Sequence, residues 1–315
     1  MMKWMRRMAL VVSVFTMVAV LAACGGAKEE AKPAPAAPAA AEQKPAAPAK
    51  APLDKAALLK ETAVGYFSNL PANTNMLDAA DLKKKLDAKD SSFVLIDIRR
   101  PEDFAKGAVA GAINIPMGQI GANIDKLPRD KQLVVSCYSG QTSGQTVAAL
   151  KMAGFNAISL KGGFPSFEKA GIPTPAPAAA ASLPAAAAAN LDEKQMALKE
   201  AAAGYFSNIP ANSNMIEAAD VKKKVDAKDT SIFLLDIRKP EDFAKGHIEG
   251  AVNIPMGQLG ANLDKLPKDK QIIVNCYSGQ TSGQTVAVLK MAGYNAVSLK
   301  GGFPSFEKAG FQIVK

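Results

Sequence analysis

Residues 93–97 (FVLID) form an apolar run without polar alternation, and so do 112–115 (AINI), 132–136 (QLVVS) and 157–160 (AISL). Short unbroken runs of this kind suit strands buried on both faces, which is where parallel sheets place theirs. Between the runs the pattern changes to helical spacing. Residues 76–89 set Leu77, Leu82 and Leu86 on one side and lysines on the other. Residues 101–106 predict a short helix opened by Pro101. Residues 120–127 repeat helical spacing up to Pro128, and 147–152 predict a helix closing at Gly154. Strand and helix alternating in this way predict an α/β fold, a parallel sheet with helices on both faces.

The same succession of elements is written twice. Residues 60–172 align with 199–311 without a gap, and roughly three quarters of the aligned positions are identical. A period this long marks duplication of a whole domain. Most differences are Ile/Leu and Ile/Val exchanges, which a core tolerates when volume is kept. Two stretches lack any apolar period: 27–52 and 173–190 are dominated by alanine and proline, a composition that favours extended, solvated tethers. The expected organisation is therefore a leader over 1–24, a linker over 25–53, a first domain over 54–172, a second linker over 173–190 and a second domain over 191–315.

The leader has its own pattern. Lys3, Arg6 and Arg7 precede an apolar run over 9–21, which is shorter than the ~20 residues a spanning helix needs and suits a secretory signal. The run ends in LAAC at 21–24, which resembles the lipobox of bacterial lipoproteins. That resemblance implies that Cys24 is acylated and becomes a membrane anchor, on the periplasmic side of the cell envelope. Gly25, where retention at the inner membrane would favour Asp, points to the outer membrane. The formal net charge is +9, but the lysines are dispersed. A dispersed positive surface suits small anions better than a nucleic-acid groove, so no nucleic acid is expected as a partner.

The candidate chemistry lies in CYSGQTSGQT, which begins at Cys137 and again at Cys276. Each cysteine follows a predicted buried strand and precedes a predicted helix, at the carboxyl end of the sheet where open α/β folds bind ligands. Ser139, Gly140, Thr142, Ser143 and their counterparts Ser278, Gly279, Thr281 and Ser282 are small enough for the backbone to curl with its N–H groups inward. Such a ring of amides at a helix start stabilises an anion, here a thiolate or its persulfide, and makes the cysteine a nucleophile open to solvent.

These residues resemble the rhodanese-like sulfurtransferases. Asp97 and Arg99, with Asp236 and Arg238, resemble the family's D-x-R. FAKGAVAGAINIP at 104–116 resembles its F-x-x-G-H-I-x-G-A-x-N-I-P segment, and Cys137 and Cys276 open loops resembling its C-x-S-G. The resemblance implies catalytic Cys137 and Cys276 that take sulfane sulfur from thiosulfate or polysulfide and pass it to a thiol, including a protein thiol, or to cyanide. It implies substrate-binding loops over Tyr138, Ser139, Gly140, Gln141, Thr142 and Ser143, and over Tyr277, Ser278, Gly279, Gln280, Thr281 and Ser282. Cofactors and metals are not expected, since one cysteine per copy supplies too few ligands. One departure stands out. The fifth position after the cysteine, an arginine in many active members, is Thr142 or Thr281, and threonine cannot grip an oxyanion bidentately. A donor poorer in oxygen, such as polysulfide, is then favoured over thiosulfate.

Other readings of the same residues stay in view. Asp97 with Arg99 and Asp236 with Arg238 suit supporting ion pairs better than direct catalysis. His247 is the only histidine, and its counterpart is Ala108, so a local structural hydrogen bond is expected of it. A module that binds or senses polysulfide or a protein partner without turnover is the alternative function.

Overall fold

In the computed structural model, residues 51–178, 181–185 and 189–315 are described. Cys24 and the leader lie outside them. No helix among the described residues is long and apolar enough to cross a membrane.

The first repeat opens with α1 (Lys55–Ser68), whose start is capped by the Asp54 carboxylate accepting the Ala57 N–H at 3.0 Å. It continues through β1 (Met76–Leu77), α2 (Ala79–Asp87), β2 (Phe93–Asp97), α3 (Pro101–Phe104), β3 (Ile113–Asn114), α4 (Ile120–Asn123), β4 (Gln132–Ser136), α5 (Gln141–Met152), β5 (Ala157–Leu160) and α6 (Pro165–Lys169). The sheet runs β1-β5-β4-β2-β3, and its pairings are all parallel. Parallel pairing forces helical crossovers, and these cover both faces, so the interior of β4, residues 133–135, can be apolar on both sides.

The second repeat follows the same plan: α7 (Glu193–Ser207), β6 (Met215–Ile216), α8 (Ala218–Asp226), β7 (Ile232–Asp236), α9 (Pro240–Lys245), β8 (His247–Ile248), β9 (Val252–Asn253), α10 (Leu259–Asn262), β10 (Gln271–Asn275), α11 (Gln280–Met291), β11 (Ala296–Leu299), α12 (Pro304–Lys308) and β12 (Ile313–Val314). Its parallel sheet runs β6-β11-β10-β7-β9. Here β8 pairs antiparallel with β12, whereas in the first repeat the Ala108 N–H donates to Pro175 O at 3.0 Å.

Two departures from the sequence reading lie away from the thiol loops. Residues 76–89 begin as a two-residue strand before turning helical. The stretch 173–190, expected to be solvated, is partly docked: Ala181 and Leu183 pack on the core, and Pro175 closes the edge beside Ala108.

Each repeat keeps an apolar cluster of its own on the outer side of its sheet, around Leu82 and Phe167 in the first and Val221 and Phe306 in the second, and a third cluster is shared. The shared cluster runs from Val94, Ile96 and Leu133 in the first to Leu235, Ile272 and Val274 in the second. Helices α5 and α11 face each other at its centre, while α1 packs on α10 and α7 packs on α4. Each repeat therefore lends its first helix to the other. Gly121 and Gly260 let these helices meet closely, since a Cβ on Gly121 would sit 2.6 Å from Ala203 O and one on Gly260 would sit 2.9 Å from Val64 O. Tyr66 Oη donates to Gln284 and Tyr205 Oη to Gln145, each at 2.7 Å. Burial pushes both phenols well above the usual tyrosine range.

Candidate active site

Cys137 follows directly on β4, the middle strand of its sheet, and Cys276 follows β10 in the same way. After each thiol the chain turns through Gly140 or Gly279, both at φ +95°, a left-handed conformation that glycine adopts without strain. That turn starts α5 and α11 and aims their first amides back at the sulfur. Cys137 Sγ accepts the Gly140 N–H at 3.1 Å and the Ser143 N–H at 3.3 Å, with Ser143 Oγ 3.3 Å away. Cys276 Sγ has the same partners at the same distances: Gly279 N–H, Ser282 N–H and Ser282 Oγ. Two main-chain donors and a hydroxyl at a helix N-terminus form a setting that stabilises sulfur anions.

One expectation is corrected. The sequence suggested thiols open to solvent, but Cys137 and Cys276 are only 1% and 2% exposed. Each thiol is enclosed by its own loop, by the glycine turn at Gly163 or Gly302 packed on that loop, and by the facing repeat. A Cβ on Gly140 would lie 2.5 Å from the Gln280 side chain, so the second repeat closes over the first loop, and Gln141 presses on Gly279 in return. Both cysteines are free thiols. Tyr138 and Tyr277, by contrast, are 47% and 48% exposed and mark the outer rim. Tyr138 Oη donates to Asp103 and accepts from the Arg100 N–H; Tyr277 pairs likewise with Asp242 and the Lys239 N–H. The hydroxyl of Tyr138, with Lys106 and Arg100, holds the Asp103 carboxyl well below the usual range. Partial burial and the Asp242 hydrogen bond push the Tyr277 phenol up.

The remaining loop residues fall into four groups. Ser139 and Ser278 are exposed beside the tyrosines, and Thr142 and Thr281 are half-buried on the first helical turn. Neither threonine is among the partners of the sulfur, whereas Ser143 and Ser282 touch it directly. Gln141 and Gln280 are buried and point into the opposite repeat, which sequence spacing could not show.

Asp97 and Arg99 form a buried, forked ion pair, with Nε at 3.1 and 3.0 Å from the two carboxylate oxygens and a terminal nitrogen at 2.7 Å. Asp236 and Arg238 repeat it. Each guanidinium lies over a phenylalanine, Phe164 at 3.6 Å or Phe303 at 3.7 Å. The N–H of that phenylalanine donates to the cysteine carbonyl at 2.7 Å. The pairs thus brace the loops from behind, as supporting groups. His247 Nδ1 lies 3.1 Å from Phe243 O, and its ring stacks on Phe243, a local structural contact. A groove of about 600 Å³ lies between 113–126 and 182–185, but it contains neither thiol. Among the described residues no cluster of metal-ligating side chains occurs.

Comparison with known proteins shows which family the chain belongs to. A rhodanese-like domain model matches residues 78–170 and 217–309. A protein named sulfurtransferase from Allochromatium vinosum is 33% identical over 104 residues, covering 33% of this chain and 96% of its own. A putative sulfurtransferase of Bacillus subtilis is 35% identical over 92 residues, covering 29% of this chain and 88% of its own. Among solved structures, a thiosulfate sulfurtransferase from Pseudomonas aeruginosa aligns with 78% of this chain and 46% of its own at 20% identity, with a TM-score of 0.35. The matched segments span more than half of the chain and contain both thiol loops, so the chain belongs to the rhodanese-like domain family and carries that domain twice in tandem.

Proposed function

We propose that the chain is a sulfurtransferase that uses Cys137 and Cys276 as parallel sulfur carriers. Membership in the rhodanese-like family and the sulfurtransferase names of its relatives support the activity in general. The observation that carries the assignment to these thiols is the identical amide cradle on each Sγ. In the first half-reaction the thiolate attacks the outer sulfur of thiosulfate or the terminal sulfur of a polysulfide. An Sγ–S bond forms, the donor's S–S bond breaks, and its electron pair leaves on sulfite or the shortened polysulfide. A thiolate or cyanide then attacks the outer sulfur, and the Sγ–S pair returns to the cysteine. The cradle holds the negative charge at both stages. Because both thiols are buried, donor entry requires local opening beside the exposed Tyr138–Ser139 and Tyr277–Ser278 turns.

Thr142 and Thr281 provide no guanidinium for a sulfonate, so polysulfide outperforms thiosulfate in this reading. The lipobox-like LAAC at 21–24 supports a second part of the proposal, that Cys24 is acylated and holds the reaction at the periplasmic face of the envelope. Intact-protein mass spectrometry after exposure to each donor tests the proposal. The expected result is one added sulfur on each of Cys137 and Cys276, discharged by cyanide, with higher kcat/KM for polysulfide. Cys137→Ser and Cys276→Ser each remove one addition. Failure to load either thiol overturns the proposal, and equal kcat/KM overturns the donor preference. Burial of both thiols favours one second reading, a polysulfide-binding sensor; its signature is an adduct that neither cyanide nor thiol discharges.

A further inference from the structure

Gln141 and Gln280 sit within the thiol loops, yet neither side chain serves its own loop. Gln280 Nε2 donates to Ser159 Oγ at 2.7 Å and to Leu160 O at 3.0 Å, and its Oε1 accepts the Gly162 N–H at 3.2 Å. A carbonyl can only accept and a main-chain N–H can only donate, so these two partners fix which way the amide faces. Ser159 Oγ is in turn 2.8 Å from Ser143 Oγ, which touches Cys137 Sγ. The arrangement is reproduced with the repeats exchanged. Gln141 Nε2 donates to Ser298 Oγ at 2.6 Å and Leu299 O at 2.9 Å, Ser298 meets Ser282 at 2.8 Å, and Ser282 touches Cys276 Sγ.

The direction of the chain follows from its first member. The amide hydrogen of Gln280 occupies a lone pair of Ser159, and among the described residues the acceptor left for the Ser159 proton is Ser143. Ser143 then keeps its own proton free for one of two acceptors, Gly140 O at 3.1 Å or the sulfur. With a neutral thiol, the S–H donates to Ser143 Oγ and the serine proton rests on Gly140 O. With a thiolate or persulfide, that proton turns to the anion as a third donor beside the two amides. Every hydroxyl in the relay is buried, so water does not substitute for a missing link.

We propose that Gln280 and Gln141 are positioning residues for the nucleophile of the opposite repeat, each orienting a Ser–Ser relay so that its last hydroxyl donates to the sulfur. The inference rests on the reading of Cys137 and Cys276 as the nucleophiles. It makes each thiol dependent on the fold of the other loop, so two similar domains become one coupled unit. The crossing is its distinctive consequence: a change at Gln280 acts on Cys137 more than on Cys276, its neighbour in sequence.

The test uses the full chain with Cys24→Ser and Cys276→Ser, which leaves Cys137 as the only thiol, and the reciprocal chain with Cys24→Ser and Cys137→Ser. Thiolate ultraviolet absorbance is titrated against pH, with the chain lacking all three cysteines subtracted. Gln280→Met keeps volume and removes the amide. The expected result is a midpoint at Cys137 raised by about one pH unit, with a smaller movement at Cys276. An unmoved Cys137, or an equal or larger movement at Cys276, overturns the proposal. Circular dichroism checks the fold, and Ser159→Ala is the second variant: it must also raise the Cys137 midpoint, and failure to do so overturns the relay. No sulfur donor enters these titrations. A midpoint shift without sulfur loading sinks the transferase reading alone, and loading without a shift sinks the relay alone.

Discussion

Arg99 shows how much one side chain contributes to a loop it never enters. Its guanidinium grips Asp97 through two nitrogens, donates to Gly107 O at 2.7 Å and lies on the ring of Phe164, whose N–H holds the Cys137 carbonyl. Lysine would keep the charge but lose the fork and the flat face. It would leave the buried Asp97 carboxylate short of hydrogen bonds, and a charge so under-satisfied is expensive in a core. Arg99→Lys is therefore expected to cost about 3 kcal/mol in urea denaturation and to loosen the first thiol loop. Unchanged stability would show that the pair does not brace the loop. The two copies differ here by one atom group: Asn275 donates to Asp236 at 3.0 Å, while Ser136, in the same place, leaves its hydroxyl without a partner among the described residues. That Asp97 and Arg99, and Asp236 and Arg238, form ion pairs near the loops was expected from the sequence. The stacking on Phe164 and Phe303 was not, because nothing in the local sequence couples residues so far apart in the chain.

Helices α5 and α11 meet backbone to backbone. A Cβ on Gly144 would lie 2.5 Å from the Gln280 carbonyl oxygen, which belongs to the first turn of α11 and cannot swing aside as a side chain can. Gly144→Ala is expected to destabilise the protein by ~1–3 kcal/mol through overpacking, and to disturb Gln280 and with it the opposite thiol. Gly65 supplies the contrast. It lies inside α1 with nothing within 4 Å of an added Cβ, so Gly65→Ala is expected to stabilise by ~0.5–1 kcal/mol. Thermal and chemical denaturation of the two variants checks the opposite signs; the same sign in both would refute the close helix contact. These helices also show where the sequence stops being informative. The strands over 93–97, 132–136 and 157–160 were readable to the residue, because strands buried on both faces carry near-continuous apolar runs, with polar residues such as Asp97, Gln132 and Ser136 at their ends. The pattern placed the helix after Cys137 at 147–152, but it begins at Gln141. Its first turn is polar, and it is buried between its own sheet, where Ser143 meets Ser159, and the facing repeat, into which Gln141 reaches. The turns that carry the thiols to a helix start were legible from their glycines and serines, and the closure over them was not.

At the scale of the whole molecule the repeats relate to each other as the halves of a symmetric dimer. Gln141 meets Ser298 as Gln280 meets Ser159, Tyr66 meets Gln284 as Tyr205 meets Gln145, and Lys60 and Lys199 pair with Asp264 and Asp125. Reciprocal contacts of this kind define an isologous interface, here made within one chain. Duplication alone does not require it, since two copies on a proline-rich tether could remain separate. What requires it is the apolar surface of each half: α1 finds its main helical partner, α10, in the second repeat, and buried residues such as Val147 and Val286 belong to one cluster. A single repeat, residues 54–172, would expose that surface, and an apolar patch of such extent is not stable in water. Expressed alone, it is expected to form a homodimer that restores the same contacts, with α1 crossing to the partner copy. Light scattering after gel filtration would report twice the repeat's mass, and Gly144→Ala would weaken the association. A folded, stable monomer with a reactive Cys137 would show instead that each repeat completes its own core and thiol cradle, and the coupling between the two loops would lose its structural basis.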